Sequence, residues 1–335
     1  MRATIRQVAQ RAGVSRTTVS NVLLGRTSAV APETRDIVLK VVQEMDYVPV
    51  RPALQNRHVP THTIALSLGH AHTVEWGINS DTYKGMCESA LAHGYDLLTL
   101  LRPDPDWALD RREVQFLDRR SDGFIFASPL WGESRATFET LAKAEIPTVA
   151  CYRRDVPDGV AWVDPDNRAI IFGAVEHFAR NGHTRIAHLT EKPPHVFDAS
   201  ERIRYFDEAM EQFGLSKTKV GTFEAHYHGL DGVAEELLGR GATAVVCFSD
   251  VMAAHLWDAM EAKGLRVPDD LSLLGVEGQW QPMHAGLSAF AFSYADIGRR
   301  AVDSVVAQIQ GVDAGECCHT IPVVLVERAS VKPIS

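Results

Sequence analysis

Cysteine is scarce: there are five in 335 residues, and no C-x-x-C pair occurs. A disulfide scaffold and the common zinc-knuckle or thiol-redox spacings are therefore excluded. Cys87, Cys151 and Cys247 are expected as buried free thiols, and the Cys317-Cys318 pair as a loop in a reducing compartment. No run approaches the ~18 apolar residues that span a bilayer, so no membrane contact is expected. Met1-Arg2-Ala3-Thr4-Ile5-Arg6 contains no apolar leader, so a cytoplasmic location is expected. The patterns G-x-x-x-x-G-K-[ST], G-x-G-x-x-G, G-x-S-x-G and H-E-x-x-H are all missing. No catalytic residue, enzyme activity or cofactor is expected. Fourteen histidines include His70-x-His72 and His226-x-His228. A metal site would need Cys or acid partners close by, so these pairs read as loops.

A positive charge balance is also lacking, with a net charge of -9. The charge is unevenly distributed. Residues 1–58 carry nine Lys/Arg against four Asp/Glu, a net +5, and the remainder carries 25 against 39, a net -14. A basic head on an acidic body concentrates attraction for phosphates in the head. The length suits a small module plus a larger lobed domain.

In the head, Ile5, Val8, Ala9 and Ala12 fall on one helical face, and Thr4 with Gln7 fits a capping box. Gly13 ends this helix. Ser15 caps a second helix with an apolar face of Val19, Val22 and Leu23. A third helix starts at Pro32 and is expected to bury Ile37, Val38, Val41, Val42 and Met45. Two short helices about a Gly turn make a helix-turn-helix. A plain three-helix bundle is the alternative. Against it, the outer face of helix two carries Arg16, Thr17, Thr18 and Asn21, groups suited to base edges and phosphates.

The run from Thr4 through Leu23, TIRQVAQRAGVSRTTVSNVL, resembles the signature of the lactose/galactose-repressor (LacI-type) family, T-I-x-D-V-A-x-x-A-G-V-S-x-x-T-V-S-R-V-L-N. Ala31-Pro32-Glu33-Thr34-Arg35 and Tyr47-x-Pro49 continue the match. The resemblance implies that Arg16 and Thr17 read bases in the major groove and that Thr18 and Ser20 serve phosphate contacts or packing. Thr4, Ser15, Asn21 and Arg26 complete the implied DNA-facing set. Three positions depart from the family. Asn21 stands for Arg and favours adenine over guanine. Gln7 stands for Asp, and Ala31 replaces a Ser cap at a cost of ~1 kcal/mol. The family's hinge, residues 50–61 here, wedges a leucine into the minor groove. Leu54 is the only leucine available, and a plain linker is the alternative.

Beyond residue 62, strand-like runs at 64–68, 96–101, 123–127, 148–152, 185–190, 244–248, 271–276 and 323–326 alternate with helix-like segments at 82–93, 111–119, 168–181, 201–213, 231–239 and 251–263. Alternation of this kind means parallel sheets covered on both faces. The fold class expected is an all-α helix-turn-helix head plus an α/β, two-lobed, type I periplasmic-binding-protein-like effector domain. The resemblance extends to Arg120-Ser121-Asp122-Gly123, Gly182-His183-Thr184 and Gly298-Arg299-Arg300. It implies domains at 1–49, 50–61 and 62–335. Lobe one is then near 62–165 and 292–322, and lobe two near 166–291 and 323–335.

In that fold a ligand sits between the lobes, at the carboxyl ends of the strands. The effector-binding candidates are Arg153 (or Arg154), Arg202, Asp250 and Glu277, with Trp76 and Trp280 as stacking faces; Trp131 and Trp162 sit in similar places. A guanidinium fork and a carboxylate each grip vicinal hydroxyls with two hydrogen bonds. Arg202 could instead be a surface ion-pair residue, Asp250 a helix cap and each tryptophan a packing residue. The reading that follows is a repressor: a homodimer on a near-palindromic DNA operator, controlled by a small sugar or sugar derivative. The chain ends without a heptad tail, so a coiled-coil tetramer is not expected. A transport solute receptor would need a leader and would leave the head unexplained.

Overall fold

The computed structural model describes residues 4–23, 30–45, 47, 60–70, 78–102, 120–127, 135–191, 197–226, 230, 232–278 and 284–334. The expected helix at 111–119 and residues 50–59 of the expected hinge at 50–61 lie outside the described residues. The chain divides into two compact units, Met1–Val59 and Pro60–Ser335.

The head holds α1 (Ile5–Ala12), α2 (Arg16–Leu23) and α3 (Pro32–Glu44). Gln7 N donates to Thr4 Oγ1 at 3.4 Å, and Thr4 N donates to Gln7 Oε1 at 2.9 Å. Glutamine thus completes the capping box at the family's aspartate position. Gly13 closes α1 at φ 66°, where a side chain would strain the backbone. Ser15 Oγ accepts from Thr18 N at 3.0 Å and opens α2. Val8, Val19 and Val38 meet at the centre, with Ala9, Val22, Val41 and Tyr47 around them. Ile37 is a correction: expected in this core, it is half exposed, as is Leu39. Val38 and Val41 occupy the inward stripe of α3, so residues 37 and 39, each ~100° away around the helix, turn outward.

The body carries β1 (Thr63–His70), α4 (Ile78–His93), β2 (Asp96–Arg102), β3 (Gly123–Phe126), α5 (Arg135–Lys143), β4 (Thr148–Cys151) and β5 (Ala161–Pro165). It continues with α6 (Asn167–Arg180), β6 (Ile186–Glu191), α7 (Phe197–Gln212), β7 (Gly221–Ala225), α8 (Val233–Gly239), β8 (Ala244–Cys247), α9 (Asp250–Glu261) and β9 (Ser272–Glu277). The last elements are β10 (Ser288–Ala291), α10 (Tyr294–Ile309), β11 (His319–Ile321) and β12 (Val324–Val326). Sheet one has the order β11-β5-β4-β3-β1-β2, and sheet two β12-β10-β9-β8-β6-β7. Every pairing is parallel except β10 with β12. Strands β3, β4, β8 and β9 are buried along their whole length, as sheets covered on both faces require. The chain passes between sheets after β5, after β10 and after β11.

Strands β5, β7, β10 and β11 are absent from the sequence reading. They are three to five residues long and carry polar or small residues, too little pattern for a period of two to show. Trp162 accordingly lies within β5 rather than in a loop. The quoted family segments have structural work. Asp122 accepts from Thr61 N, Thr61 Oγ1 and His62 N at 2.6, 2.8 and 2.7 Å, and so pins the start of β1. His183 bridges Thr243 Oγ1 at 2.9 Å and the Lys332 carbonyl at 3.0 Å, which ties the C-terminal segment to lobe two. Gly85 and Gly298 let α4 and α10 touch backbone to backbone: a Cβ on either would collide with the carbonyl of Ala295 or Thr82.

Candidate functional site

Helix α2 presents the head's candidate surface. Arg16 and Thr17, in its first turn, face solvent, while Thr18, Ser20 and Asn21 are half-buried. Val19 and Val22 turn inward and hold this orientation. The Ser15 and Thr18 hydroxyls bond each other at 2.9 Å, and the Thr4 hydroxyl donates to Gln7 Oε1 at 2.9 Å. Thr4, Ser15 and Thr18 are thus capping residues in addition to any contact they make with DNA. The amino ends of α1 and α2 supply backbone N–H groups of the kind that hold phosphates. Arg26 and Leu54 lie outside the described residues.

The second site forms where strand ends from both lobes converge. Tyr152 follows β4 in lobe one, with φ 63°. Glu277 ends β9 in lobe two, with φ 108°. Non-glycine residues held at positive φ are strained, and such strain gathers at ligand sites. Tyr294, the first residue of α10, joins them. Its ring centroid is 6.0 Å from that of Tyr152, and it lies beside the Glu277 carboxyl. The Tyr152 hydroxyl bonds Thr82 Oγ1 at 2.5 Å. Thr82, Tyr152, Tyr294 and Glu277 thus gather polar side chains from both lobes at one place.

A polar chain crosses nearby. Arg202 is buried on α7, which rules out the surface ion-pair alternative. It donates through Nε to Asn167 Oδ1 at 2.8 Å and through Nη1 to the Phe248 carbonyl at 2.6 Å, and Nη2 lies 3.7 Å from Asp198 Oδ2. Asn167 Nδ2 donates to Asp198 Oδ1 at 2.7 Å and to Asp164 Oδ2 at 3.4 Å. Arg154 closes the chain, donating through Nε to Asp164 Oδ2 at 2.7 Å. Its guanidinium lies 4.5 Å over the Trp162 ring.

Arg153 is the main shift from expectation. It donates through Nε and Nη2 to the two oxygens of Asp155, at 2.7 Å each, and covers the Phe138 ring at 5.3 Å. The nearest acid decides each fork: exposed Asp155 takes Arg153, and buried Asp164 takes Arg154. Asp250 is buried in the first turn of α9. The cap there is Ser249, whose Oγ accepts from Met252 N at 3.1 Å, so Asp250 is not the helix cap. A Cβ on Gly275 would strike Asp250 Oδ1, so glycine on β9 makes room for that acid.

Burial governs the titration of this site. The Glu277 carboxyl is pushed up to about 8 by burial first and by the neighbouring Asp250 charge second. Asp164 is raised by burial and then by Asp198, against the pull of Arg154, and Asp198 is raised by burial against Arg202. One proton shared in the Asp164–Asp198 pair relieves their repulsion. Glu277 Oε2, Asp164 Oδ1, Thr190 Oγ1 and both ring nitrogens of His188 are buried with no hydrogen-bond partner among the described residues.

Asp164, Asp198, Asn167, Tyr152, Tyr294 and His188 were not candidates by sequence. The available signal was a polar residue inside a buried strand run, as at Asp164 in β5 and His188 in β6. Trp76, Trp131 and Trp280 lie outside the described residues. The described residues hold no group of three His, Cys, Asp or Glu placed for a metal, and none of their helices is long and apolar enough to cross a membrane. A separate cavity of about 510 Å³ lies between α6 and the C-terminal segment, lined by Arg180, His177, Phe290, Glu327 and Arg328 among others. Its charged groups are already engaged: Arg180 with Glu176, His177 with Glu327, and Arg328 with the Leu287 carbonyl.

A recognition helix on a small head and a two-lobed body with a polar cleft define a ligand-responsive DNA-binding regulator. Comparison with known proteins agrees. Residues 4–50 match the model for bacterial regulatory proteins of the lacI family, and residues 175–331 match a periplasmic binding protein-like domain. The HTH-type transcriptional regulator DegA of Bacillus subtilis is 30% identical over 83% of this chain and 82% of its own. The HTH-type transcriptional repressor PurR of Mannheimia succiniciproducens is 29% identical over 99% of this chain and 100% of its own. A lac repressor dimer bound to operator and the anti-inducer ONPF shares the fold, with a TM-score of 0.77 at 21% identity, over 99% of this chain and 100% of that one. The chain belongs to the lacI family of bacterial regulatory proteins, whose members here are regulators of transcription and not enzymes.

Proposed function

We propose that the protein is a cytoplasmic repressor that grips a near-palindromic operator as a homodimer and changes its grip when a small sugar-like effector enters the interlobe cleft. The observation that carries this reading is the outward projection of Arg16 and Thr17 from a helix whose other face is locked by Val19 and Val22. Arg16, Thr17 and Asn21 read base edges, and Thr4, Ser15, Thr18, Ser20 and Arg26 position the head on phosphates. Residues 50–61 link head to body, with Leu54 as the minor-groove wedge. Lobe one comprises 62–165 and 292–322, and lobe two 166–291 and 323–335. In the cleft, Arg202, Asp250 and Glu277 hold the effector with Arg154, and Trp76 and Trp280 flank it. Arg153 acts from the rim. Coupling of ~1–3 kcal/mol between cleft and head is enough for control.

Selection of bound duplexes from a random pool by the full-length chain tests the reading, with an inverted-repeat consensus expected. Arg16→Ala is expected to weaken binding by ~1–3 kcal/mol and to relax base choice at one position per half-site. Asp250→Ala is expected to keep operator binding and lose the effector response. No enrichment of any sequence, or equal loss on all duplexes for Arg16→Ala, would overturn base reading by α2.

A further inference from the structure

The chain first leaves sheet one at a joint whose backbone is fixed. Asp166 N donates to the Ile321 carbonyl at 3.0 Å, and Asp166 Oδ1 accepts from Ala169 N at 2.9 Å, so Asp166 caps α6. Asn167, the next residue, is left with no capping work, and its side chain is buried. Its amide oxygen accepts from Arg202 Nε at 2.8 Å. Its amide nitrogen donates to Asp198 Oδ1 at 2.7 Å and to Asp164 Oδ2 at 3.4 Å. A guanidinium can only donate, which fixes the amide oxygen on the Arg202 side.

These three bonds are unequal across the lobes. Arg202 and Asp198 stand on α7 of lobe two, and Asp164 stands on β5 of sheet one. The two bonds to lobe two are short, and the one to lobe one is close to the limit of a hydrogen bond. Asp164 has a firmer partner in Arg154, at 2.7 Å and in its own lobe. Arg202 Nη2 is loosely held, 3.7 Å from Asp198 Oδ2. A small displacement of Arg202 therefore carries the Asn167 amide with it and parts the amide from Asp164 first, because that bond is the weakest of the three.

We infer that Asn167 is a positioning residue that reports the state of Arg202, and so the occupancy of the cleft, to Asp164 of lobe one by making or giving up the bond between the lobes. This rests on the effector reading of the cleft and adds to it the residue that transmits. Asn167 acts through Arg202 and not on the effector itself. Coupling needs an element with two arrangements that both sites bias, and the 3.4 Å bond is such an element. Asp198 and Asp164 also act on each other directly, a competing route that bypasses the amide.

Glucose, galactose, ribose, cellobiose and glucosamine are first screened for a thermal shift of the full-length chain. With a sugar that binds, operator affinity is measured in its absence and at saturation, on the duplex recovered by selection. The ratio of the two affinities is the readout. A merely structural role lowers the melting temperature and leaves that ratio alone. The parent ratio is expected to lie between roughly fivefold and 150-fold. Asn167→Ala is expected to bring it within about twofold of unity. Asp164→Asn keeps the shape of the lobe-one partner and is expected to lower the ratio too, with the double variant no lower than Asn167→Ala alone. Asn167→Ser, whose hydroxyl serves Arg202 or Asp198 but cannot also span to Asp164, takes the place of the alanine variant if that one does not fold. A ratio kept by the residue 167 variant overturns the inference in favour of the carboxyl pair. A ratio kept by Asp164→Asn overturns Asp164 as the receiving end, and the inference with it. A parent ratio of one with a sugar that binds leaves sugar binding standing and overturns the inference. A screen without any shift counts against the effector reading and takes this inference with it.

Discussion

Arg202 Nε donates to Asn167 Oδ1 across 2.8 Å, and that single bond ties α7 to the first residue of α6, immediately after the chain has left sheet one. The same guanidinium reaches the Phe248 carbonyl beyond β8. One side chain therefore fixes the geometry of the first interlobe crossing and of the strand end that carries Asp250. Arg202→Met is expected to destabilise by about 3–5 kcal/mol, because Asp198 then lies buried without its counter-charge. Denaturant unfolding measures it. Adding Asp198→Asn should recover part of the loss, and strictly additive losses would deny the coupling.

Glu277 carries a pH dependence with a definite sign. Its folded carboxyl titrates at about 8 against an ordinary 4.5, so between those values the folded chain holds a proton that the unfolded chain has released. The stability linked to this group is complete below about 4.5 and is lost as pH climbs through about 8. Glu277→Gln has no such proton to lose. The melting temperature of the variant relative to the parent is expected to rise steadily from about pH 5 to pH 9. A constant difference across that range would show that Glu277 is ionised throughout.

His188 works in the opposite direction. Burial, then the Arg202 charge, lowers its imidazole from 6.5 to about 3. The unfolded ring takes up a proton below 6.5 that the folded ring refuses, so stability falls as pH drops from 6.5 towards 3. The ring packs 5.5 Å from Phe206, with neither nitrogen bonded among the described residues. His188→Leu is therefore expected to be near neutral at pH 8 and increasingly stabilising towards pH 5, since no unmet polar atom remains. Equal unfolding midpoints for parent and variant at both pH values would place a hidden donor or acceptor on the ring.

Gly298→Ala tests the contact between α4 and α10. The new methyl would meet the Thr82 carbonyl and the Met86 amide, both backbone. Overpacking of this kind costs about 1–3 kcal/mol and pushes the helices apart. Gly239→Ala, with nothing within 4 Å of its Cβ, is the control and is expected to be neutral or slightly stabilising. A Gly298→Ala variant as stable as that control would mean that α4 yields freely.

The head was legible residue by residue because its signals are local. Thr4 with Gln7, Gly13, Ser15 and the Val8/Ala9 and Val19/Val22 stripes all act within one turn of themselves. The body was legible as alternating runs, because parallel strands covered on both faces are written as apolar blocks. Ile37 misled for the converse reason: an apolar residue beside a buried stripe satisfies the pattern without facing the core. The cleft was legible only where a known pattern supplied Arg202, Asp250 and Glu277.

The sequence by itself determined the two-part organisation, the basic head, the caps and turns of the recognition helix, and the order of strand and helix in the body. Each depends on neighbours a few residues apart. Tertiary structure alone decided that Asp164, Asp198 and Arg202 share one network, that Tyr294 lies beside Glu277, and that Arg154 rather than Arg153 enters the network. Those partners stand from four to 38 positions apart, spread over several strands and helices, and the passages between the sheets bring the two lobes' strand ends together. Their protonation follows from the burial that this meeting creates, which no local pattern records.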